Sequence, residues 1–196
     1  MKINSREPEF NVDPIFLNRW SPRAMSGEVL AKPELMALFE AAKWAPSSSN
    51  EQPWRFIFAQ RDTPHFATFL DLLVEGNRKW AKEASALIVM VSRNTFERNS
   101  KENRTHSFDT GSAWVSLALQ ASSKGLVAHG MAGFDYDRAK SELKIPDGFS
   151  VEAMAAVGKP AGKEVLSPEL QEREIPSQRK ELSLTVFEGE FPKGIE

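Results

Sequence analysis

A chain of 196 residues with a formal net charge of −2 and no cysteine has the size of one folded domain and excludes disulfides and thiolate chemistry. Its composition, 41% hydrophobic and 27% charged, is typical of a soluble globular protein. The weak net charge gives no general attraction to nucleic acid or an anionic membrane, and no apolar run could span a bilayer. We predict one cytoplasmic domain over residues 1–196, with no signal peptide, nucleic-acid partner or membrane attachment.

The first half of the chain alternates helical and strand patterns. Asp13 and Pro14 match the N-cap and first position of a short helix. Leu35, Leu38 and Phe39 recur at helical spacing in a second one. We predict helices over residues 13–20, 33–44, 65–75 and 78–84, with a break at Gly76-Asn77, and strands over 55–60 and 86–91. The last of these is apolar on both faces and reads as a central strand.

The second half is dominated by a very apolar helix over residues 108–124, which Gly125 ends. Such a helix must be covered on most sides, by its own domain or by another subunit. Asp135 is placed to cap a further helix. We predict a strand and turn over 126–134, a helix over 135–143, strands over 151–157 and 181–187, and a loop over 161–178. About five strands and six or seven helices indicate an α+β domain with helices packed on a small sheet.

Residues 93–107 are polar and charged, without a hydrophobic period. A connection of this length inside a compact domain favours a lid or binding loop, with Phe108 as a lining residue. Its four basic residues suit an anionic nicotinamide cofactor or substrate, and a solvated loop explains them equally well.

Several kinds of site find no support in the sequence. His65, His106 and His129 lie in different predicted elements, so we interpret them as surface or packing residues and predict no metal site. There is no GxSxG nucleophile elbow, and no GxGxxG or GxxxxGK[ST] phosphate loop.

Two polar segments remain as candidate sites. Residues 46–53 hold hydroxyls and amides between two prolines, which suits either an ordinary helix-to-strand loop or a site for a flat, polar ligand. Arg19, Ser21 and Arg23 follow the first helix, and Arg179-Lys180 lies far along the chain. Guanidinium groups match phosphate oxygens, although solvated surface charge is the simpler interpretation of these residues alone.

Taken in chain order, these segments resemble the FMN-dependent nitroreductase family. The resemblance covers essentially the whole chain and rests on a series of weak motifs that occur in the family's order. They are Arg19-x-Ser21-x-Arg23, Pro46-Ser47-Ser48-x-Asn50-x-Gln52-Pro53-Trp54, Asn77 in a turn, Gly125-Leu126, Met131-Ala132-Gly133-Phe134-Asp135, Gly158-Lys159-Pro160 and Arg179.

The resemblance implies an intertwined homodimer with a small, mostly antiparallel sheet and two FMN sites at the subunit interface. Helix 108–124 would form the dimer core, and the C-terminal segment would wrap the partner. The implied cofactor-binding set divides into three groups. The phosphate and ribityl end would be held by Arg19, Trp20, Ser21 and Arg179, with Arg23 near the pyrimidine edge. One subunit would contribute Pro46, Ser47, Ser48, Asn50 and Gln52 alongside Asn77. The other subunit would contribute Met131, Ala132 and Gly133.

The activity implied is hydride transfer from NADH or NADPH through flavin N5 to a small, electron-poor acceptor, such as a nitroaromatic or a quinone, by a ping-pong mechanism without a catalytic side chain. Dehalogenation, enal reduction and non-catalytic flavin binding are the alternatives. The chain departs from some family members at Ser177, where they carry a basic residue, and in its turn at 131–133, which lacks an acidic residue.

Overall fold

The computed structural model describes residues 6–192 and 194, and its centre is a four-stranded, fully antiparallel sheet. The strands lie in the order β1-β2-β4-β3. Strand β2 is buried from Ala86 to Ser92, as its unbroken apolar run predicts. The strands are β1 (Trp54–Gln60), β2 (Ala86–Arg93), β3 (Val127–Met131) and β4 (Phe149–Gly158).

Seven α-helices surround this sheet within the described residues. Two local predictions are confirmed, because the Oδ1 atoms of Asp13 and Asp135 accept hydrogen bonds from backbone N–H groups of the helices that follow, at 2.8 and 2.9 Å. The helices are α1 (Pro14–Asn18), α2 (Lys32–Lys43), α3 (Phe66–Leu72), α4 (Glu75–Ala81), α5 (His106–Ser123), α6 (Tyr136–Glu142) and α7 (Pro168–Glu172). No helix in the described part is both long and apolar enough to cross a membrane.

The sheet separates two hydrophobic layers. Alternate residues of β2 point to opposite faces, so Leu87 and Val89 join one layer while Ile88 and Met90 join the other. Helices α3, α4 and α6 cover the first face, and α2 and α5 cover the second. The long helix α5 therefore buries one side in its own domain, while Val115 on its other side is 49% exposed.

The strand predicted over residues 181–187 is wrong. Leu182–Leu184 is a 3₁₀ helix, so the described residues contain four strands, not about five. The N–H groups of Leu184 and Thr185 bond to carbonyls three residues back, and Leu182 and Leu184 remain exposed. Alternating apolar residues predict a strand only where another strand edge accepts their backbone hydrogen bonds.

Two further boundaries differ from expectation. Gly76 and Asn77 lie inside α4, and the break comes earlier because Val74 donates its N–H to Gly133 O at 3.1 Å. The loop predicted over 161–178 contains α7, which begins at Pro168. Both errors come from reading Gly and Pro as loop signals where Gly is tolerated inside a helix and Pro starts one.

Candidate functional site

The residues predicted around Arg19 meet a distant part of the chain in a cleft of about 290 Å³, here called the arginine cleft. The structure brings Arg19, Ser21, Arg23 and Arg179 together in its lining, as expected. Among the described residues, five guanidinium groups and no carboxylate line this cleft. Its residues are Arg6, Arg19, Trp20, Ser21, Arg23, His129, Arg173, Ile175, Ser177 and Arg179.

Arg6 ties the two walls of the arginine cleft together. Its Nη1 donates to the carbonyl of Arg19 at 2.8 Å, and its Nε donates to the carbonyl of Ser177 at 2.9 Å. Arg179 in turn donates to the Ser177 hydroxyl at 2.9 Å. Arg6 could not be predicted as a site residue from the sequence, because it lies outside any predicted element and no motif marks it. Its role follows only from contacts across the chain.

The arginine cleft concentrates positive charge at short range. Burial lowers the pKa of Arg19, and the nearby charge of Arg179 lowers it further. Burial likewise lowers the pKa of Arg6, followed by the charges of Arg179 and Arg19. Because arginine stays protonated in proteins, the three groups repel one another. A phosphate relieves that repulsion and matches the planar donor forks, so these residues fit the phosphate end of a nucleotide cofactor.

His129, on β3, forms part of the cleft floor. Its Nδ1 lies 3.0 Å from the carbonyl of Pro22, which can only accept, so Nδ1 carries the proton. Its ring packs against Trp80 with centroids 4.6 Å apart. Burial lowers the pKa of His129, and Arg23 lowers it further, although the hydrogen bond to Pro22 opposes both effects. His129 therefore lines the arginine cleft and also packs against Trp80, in agreement with the packing role predicted for it.

His129 should make folding sensitive to mild acid. An unfolded histidine titrates near pH 6.5, and the folded pKa lies below that value. As pH falls through this window, the unfolded chain gains a proton that the folded chain does not, so the free energy of unfolding falls, by at most about 1.4 kcal/mol per pH unit. The contribution is complete above the unfolded pKa.

Urea unfolding at about pH 7.5 and about pH 5.5 measures this effect. We expect His129→Gln to lose less stability between the two than the unsubstituted chain. The control is His65→Gln, at an exposed surface position, which should follow the unsubstituted chain. If His129→Gln loses as much stability between the two pH values as the unsubstituted chain, a group other than His129 causes the acid sensitivity.

Asn77 and Gly133 form a second part of the candidate site. Asn77 Nδ2 donates to Gly133 O at 3.0 Å within the same chain. A Cβ on Gly133 would lie 2.8 Å from Asn77 Nδ2, so this close approach requires glycine. One chain thus places Asn77 and Gly133 on one wall, which argues against the predicted division that put Asn77 on the other subunit from Met131, Ala132 and Gly133. Met131 packs into the core, and Ala132 is the exposed residue of this turn.

The third part is the serine loop, residues 46–53, which is held in an unusual conformation. Ser49, Asn50 and Gln52 all have positive φ, at 53, 55 and 50°, without being glycine. Ser47 Oγ accepts from Gln52 N at 3.0 Å, bracing the turn across its width. Backbone strain of this kind persists where surrounding contacts enforce it, and it is concentrated at ligand sites. The predicted stiffness of this loop thus comes from hydrogen bonds as well as from its two prolines.

Asp109 joins the serine loop to α5. It is 3% exposed, and its Oδ2 accepts from Ser48 N at 3.1 Å and from Thr105 Oγ1 at 3.2 Å. The loop also contacts residues 94–103, since Glu51 Oε1 accepts from Glu97 N at 2.5 Å. Sequence analysis missed Asp109, because a carboxylate inside an apolar helix carries no motif.

Relieving the strain of the serine loop should stabilise the fold. Ser49→Gly removes the Cβ that disfavours positive φ, so we expect the free energy of unfolding to rise by about 0.5–1 kcal/mol despite the added freedom of the unfolded chain. The matched control is Ser48→Gly in the same 3₁₀ turn, which relieves no positive φ and should destabilise. Urea unfolding measures both, and equal effects would show that the strain at Ser49 is not significant.

One chain does not bring all the predicted residues together. The serine loop lies at the start of α5, and it shares no lining residue with the arginine cleft. A larger cleft of about 570 Å³ adjoins the arginine cleft through Arg6, Arg19 and Arg179. It runs along the outer face of α5, and it is here called the α5 cleft. Its α5 residues are Trp114, Val115, Ala118 and Leu119. No cluster of three or more potential metal ligands occurs among the described residues.

Comparison with known proteins gives one consistent result. The sequence model of the nitroreductase family matches residues 17–69 and 58–159. A solved structure described as an oxidoreductase containing FMN is 48% identical, with a TM-score of 0.93 over 98% of each chain. A Rhodopseudomonas palustris (strain TIE-1) protein, provisionally named NADH dehydrogenase/NAD(P)H nitroreductase, is 26% identical over 164 residues, 74% of this chain and 83% of that protein.

A third comparison concerns the fold alone. A solved structure from Desulfovibrio desulfuricans, provisionally described as a nitroreductase in complex with FMN, is 24% identical. It has a TM-score of 0.71, over 93% of this chain and 100% of that chain.

Proposed function

The chain belongs to the nitroreductase family, and from that premise we propose that it is an FMN-dependent oxidoreductase that passes reducing equivalents from NADH or NADPH to a small, electron-poor acceptor such as a nitroaromatic or a quinone. The observation that carries this proposal is the arginine cleft, with five guanidinium groups and no carboxylate in its lining. The 48% identical structure described as containing FMN supports the choice of cofactor.

We propose three groups of cofactor contacts. The cleft would hold the phosphate and ribityl end, and its cations and neutral donors match the oxygens there. The serine loop would offer neutral hydrogen-bonding groups to the flavin ring. The hydrogen bonds that enforce the loop's positive φ angles would keep these groups in fixed positions. The three groups are Arg19, Trp20, Ser21, Arg23 and Arg179 of the cleft; Asn77, Met131, Ala132 and Gly133 of the second part of the candidate site; and Pro46, Ser47, Ser48, Asn50 and Gln52 of the serine loop.

We propose a homodimer because the serine loop and the arginine cleft lie apart within one chain. A second copy seated on the outer face of α5 would bring its own serine loop to the cleft of the first. Exposed apolar side chains of this extent mark an interaction surface. Those near the chain ends and on α5 include Phe10, Val12, Phe16, Phe108, Val115, Leu182, Leu184, Val186 and Phe191.

When bound, FMN supplies the redox chemistry, since flavins accept hydride from nicotinamide donors and reduce a second substrate. The chain's own residues bind, orient and provide charge. Arg19 and Arg179 would hold the anionic end in place, while Arg23 would bring a fixed cation toward the ring, where negative charge increases on reduction. No side-chain nucleophile is needed. Donor and acceptor would use the same opening in turn.

We further propose a single domain over residues 1–196 that acts in the cytoplasm; the net charge of −2 supports the absence of nucleic-acid or membrane partners. The physiological acceptor is best sought by screening nitroaromatics and quinones with the NADH- or NADPH-reduced protein.

The proposal is tested by titrating the flavin-free protein with FMN and, separately, with riboflavin, following flavin fluorescence. We expect one FMN bound per chain and markedly weaker riboflavin binding, because riboflavin lacks the phosphate that the arginine cleft would hold. A protein that binds neither flavin is not a flavoenzyme. Equal affinity for FMN and riboflavin would show that the arginine cleft does not bind the FMN phosphate.

A further inference from the structure

Glu174 is a buried carboxylate behind the arginine cleft. It follows α7, between Arg173 and Ile175, both of which line the cleft. Its side chain is only 4% exposed. Its Oε1 accepts hydrogen bonds from the backbone N–H groups of Arg23, at 2.6 Å, and of Ala24, at 2.8 Å. One carboxylate oxygen thus holds a turn 150 residues away in the chain.

The second oxygen of Glu174 has no hydrogen-bond partner within the described residues. Its nearest charged neighbour is the guanidinium group of Arg23, with Nη1 at 3.8 Å. A carboxylate is costly to bury unless an opposite charge compensates it. Among the described residues, Arg19 and Arg179 have no carboxylate within ion-pair distance, whereas Arg23 has Glu174. Arg23 is therefore electrostatically distinct from the phosphate-end arginines.

We propose that Glu174 is a positioning residue that fastens residues 173–179 to the turn carrying Arg23 and, by offsetting the charge of Arg23, sets the reduction potential of the bound flavin. This inference rests on the proposed function. An isolated arginine near the flavin stabilises the reduced, more negative cofactor over the oxidised one. A neighbouring carboxylate weakens that preference and keeps the reduced flavin a stronger reductant.

Glu174→Gln tests the charge separately from the contact. Glutamine keeps the length of the side chain and one oxygen to accept from the Arg23 and Ala24 amides, while the negative charge is lost. We expect the ratio of affinities for reduced over oxidised FMN to rise about tenfold, which for a two-electron couple is a positive shift of about 30 mV. The midpoint potential is measured by dye-equilibrated reduction of the FMN-loaded protein. Glu172→Gln, at an exposed position on α7, is the matched control and should leave the potential unchanged.

The outcomes separate this inference from the proposed function. If the unsubstituted chain binds no FMN, the proposed function fails, and this inference fails with it. If it binds FMN and the potential of Glu174→Gln is unchanged or more negative, only this inference is overturned. A purely structural role would weaken the binding of both redox forms equally and leave the potential where it was.

A second variant covers the case in which Glu174→Gln does not fold. Arg23→Gln removes the cation that Glu174 offsets, and we expect the potential to shift in the negative direction. An unchanged potential in that variant would overturn the inference as well, because Arg23 would then exert no field on the flavin.

Discussion

Arg19→Ala should weaken FMN binding by at least tenfold. Hydrogen bonds to charged groups contribute about 1.5–3 kcal/mol, or roughly 10- to 150-fold in affinity. Arg19 lines the arginine cleft together with Arg6 and Arg179, and burial, followed by the charge of Arg179, lowers the pKa of Arg19. A bound phosphate would offset both effects, so removing Arg19 takes away one of the principal phosphate contacts.

Fluorescence titration with FMN and with riboflavin checks this assignment. We expect Arg19→Ala to reduce FMN affinity strongly and riboflavin affinity little, because the lost contact is to the phosphate. Arg138→Ala is the control, since Arg138 lies on α6 and pairs with Asp71 and Glu142 at the surface. Unchanged FMN affinity in Arg19→Ala would show that the phosphate does not bind in this cleft.

A charge on the outer face of α5 is expected to separate the subunits and remove the flavin. Val115 is 49% exposed and lines the α5 cleft. In the proposed dimer Val115→Arg would bury an unpaired guanidinium, which costs several kcal/mol. Since the serine loop of one chain would complete the site of the other, loss of the dimer should reduce FMN affinity by more than tenfold.

Analytical ultracentrifugation at several concentrations, together with FMN titration, measures both consequences. Val29→Arg is the matched control, because Val29 is 43% exposed and does not line the α5 cleft. It should leave dimer and flavin unchanged. A Val115→Arg protein that stays dimeric would place the interface elsewhere. A monomer with full FMN affinity would show that one chain holds the whole site.

Local physics accounts for what could be predicted from the sequence. The caps at Asp13 and Asp135 and the unbroken apolar run of β2 follow from residues close together in the chain, and the structure confirms all three. The grouping of Arg19 with Arg179 came from family resemblance, since nothing local links positions 160 residues apart. The structure places them in one cleft.

The site features that could not be predicted from the sequence depend on contacts between residues far apart in the chain. Arg6 and Glu174 act through backbone groups of remote segments, so no motif marks them. The hydrogen bond between Asn77 and Gly133 could not be predicted from their spacing either, and it joins two residues that were predicted to come from different subunits. The alternating apolar residues at 181–187 find no partner strand among the described residues, so this pattern did not produce the predicted strand. How these walls meet around a cofactor is still a prediction.

The central claim is that this chain carries a flavin that a nicotinamide cofactor can reduce. Anaerobic titration of the FMN-loaded protein with NADH and with NADPH, followed by visible absorbance, tests this claim most directly. We predict that the yellow flavin absorbance bleaches with one of the two donors at one equivalent per flavin, and that it returns when a quinone or nitroaromatic is added. A loaded protein whose flavin absorbance persists with both donors would contradict the proposed oxidoreductase and leave a flavin-binding protein without this activity.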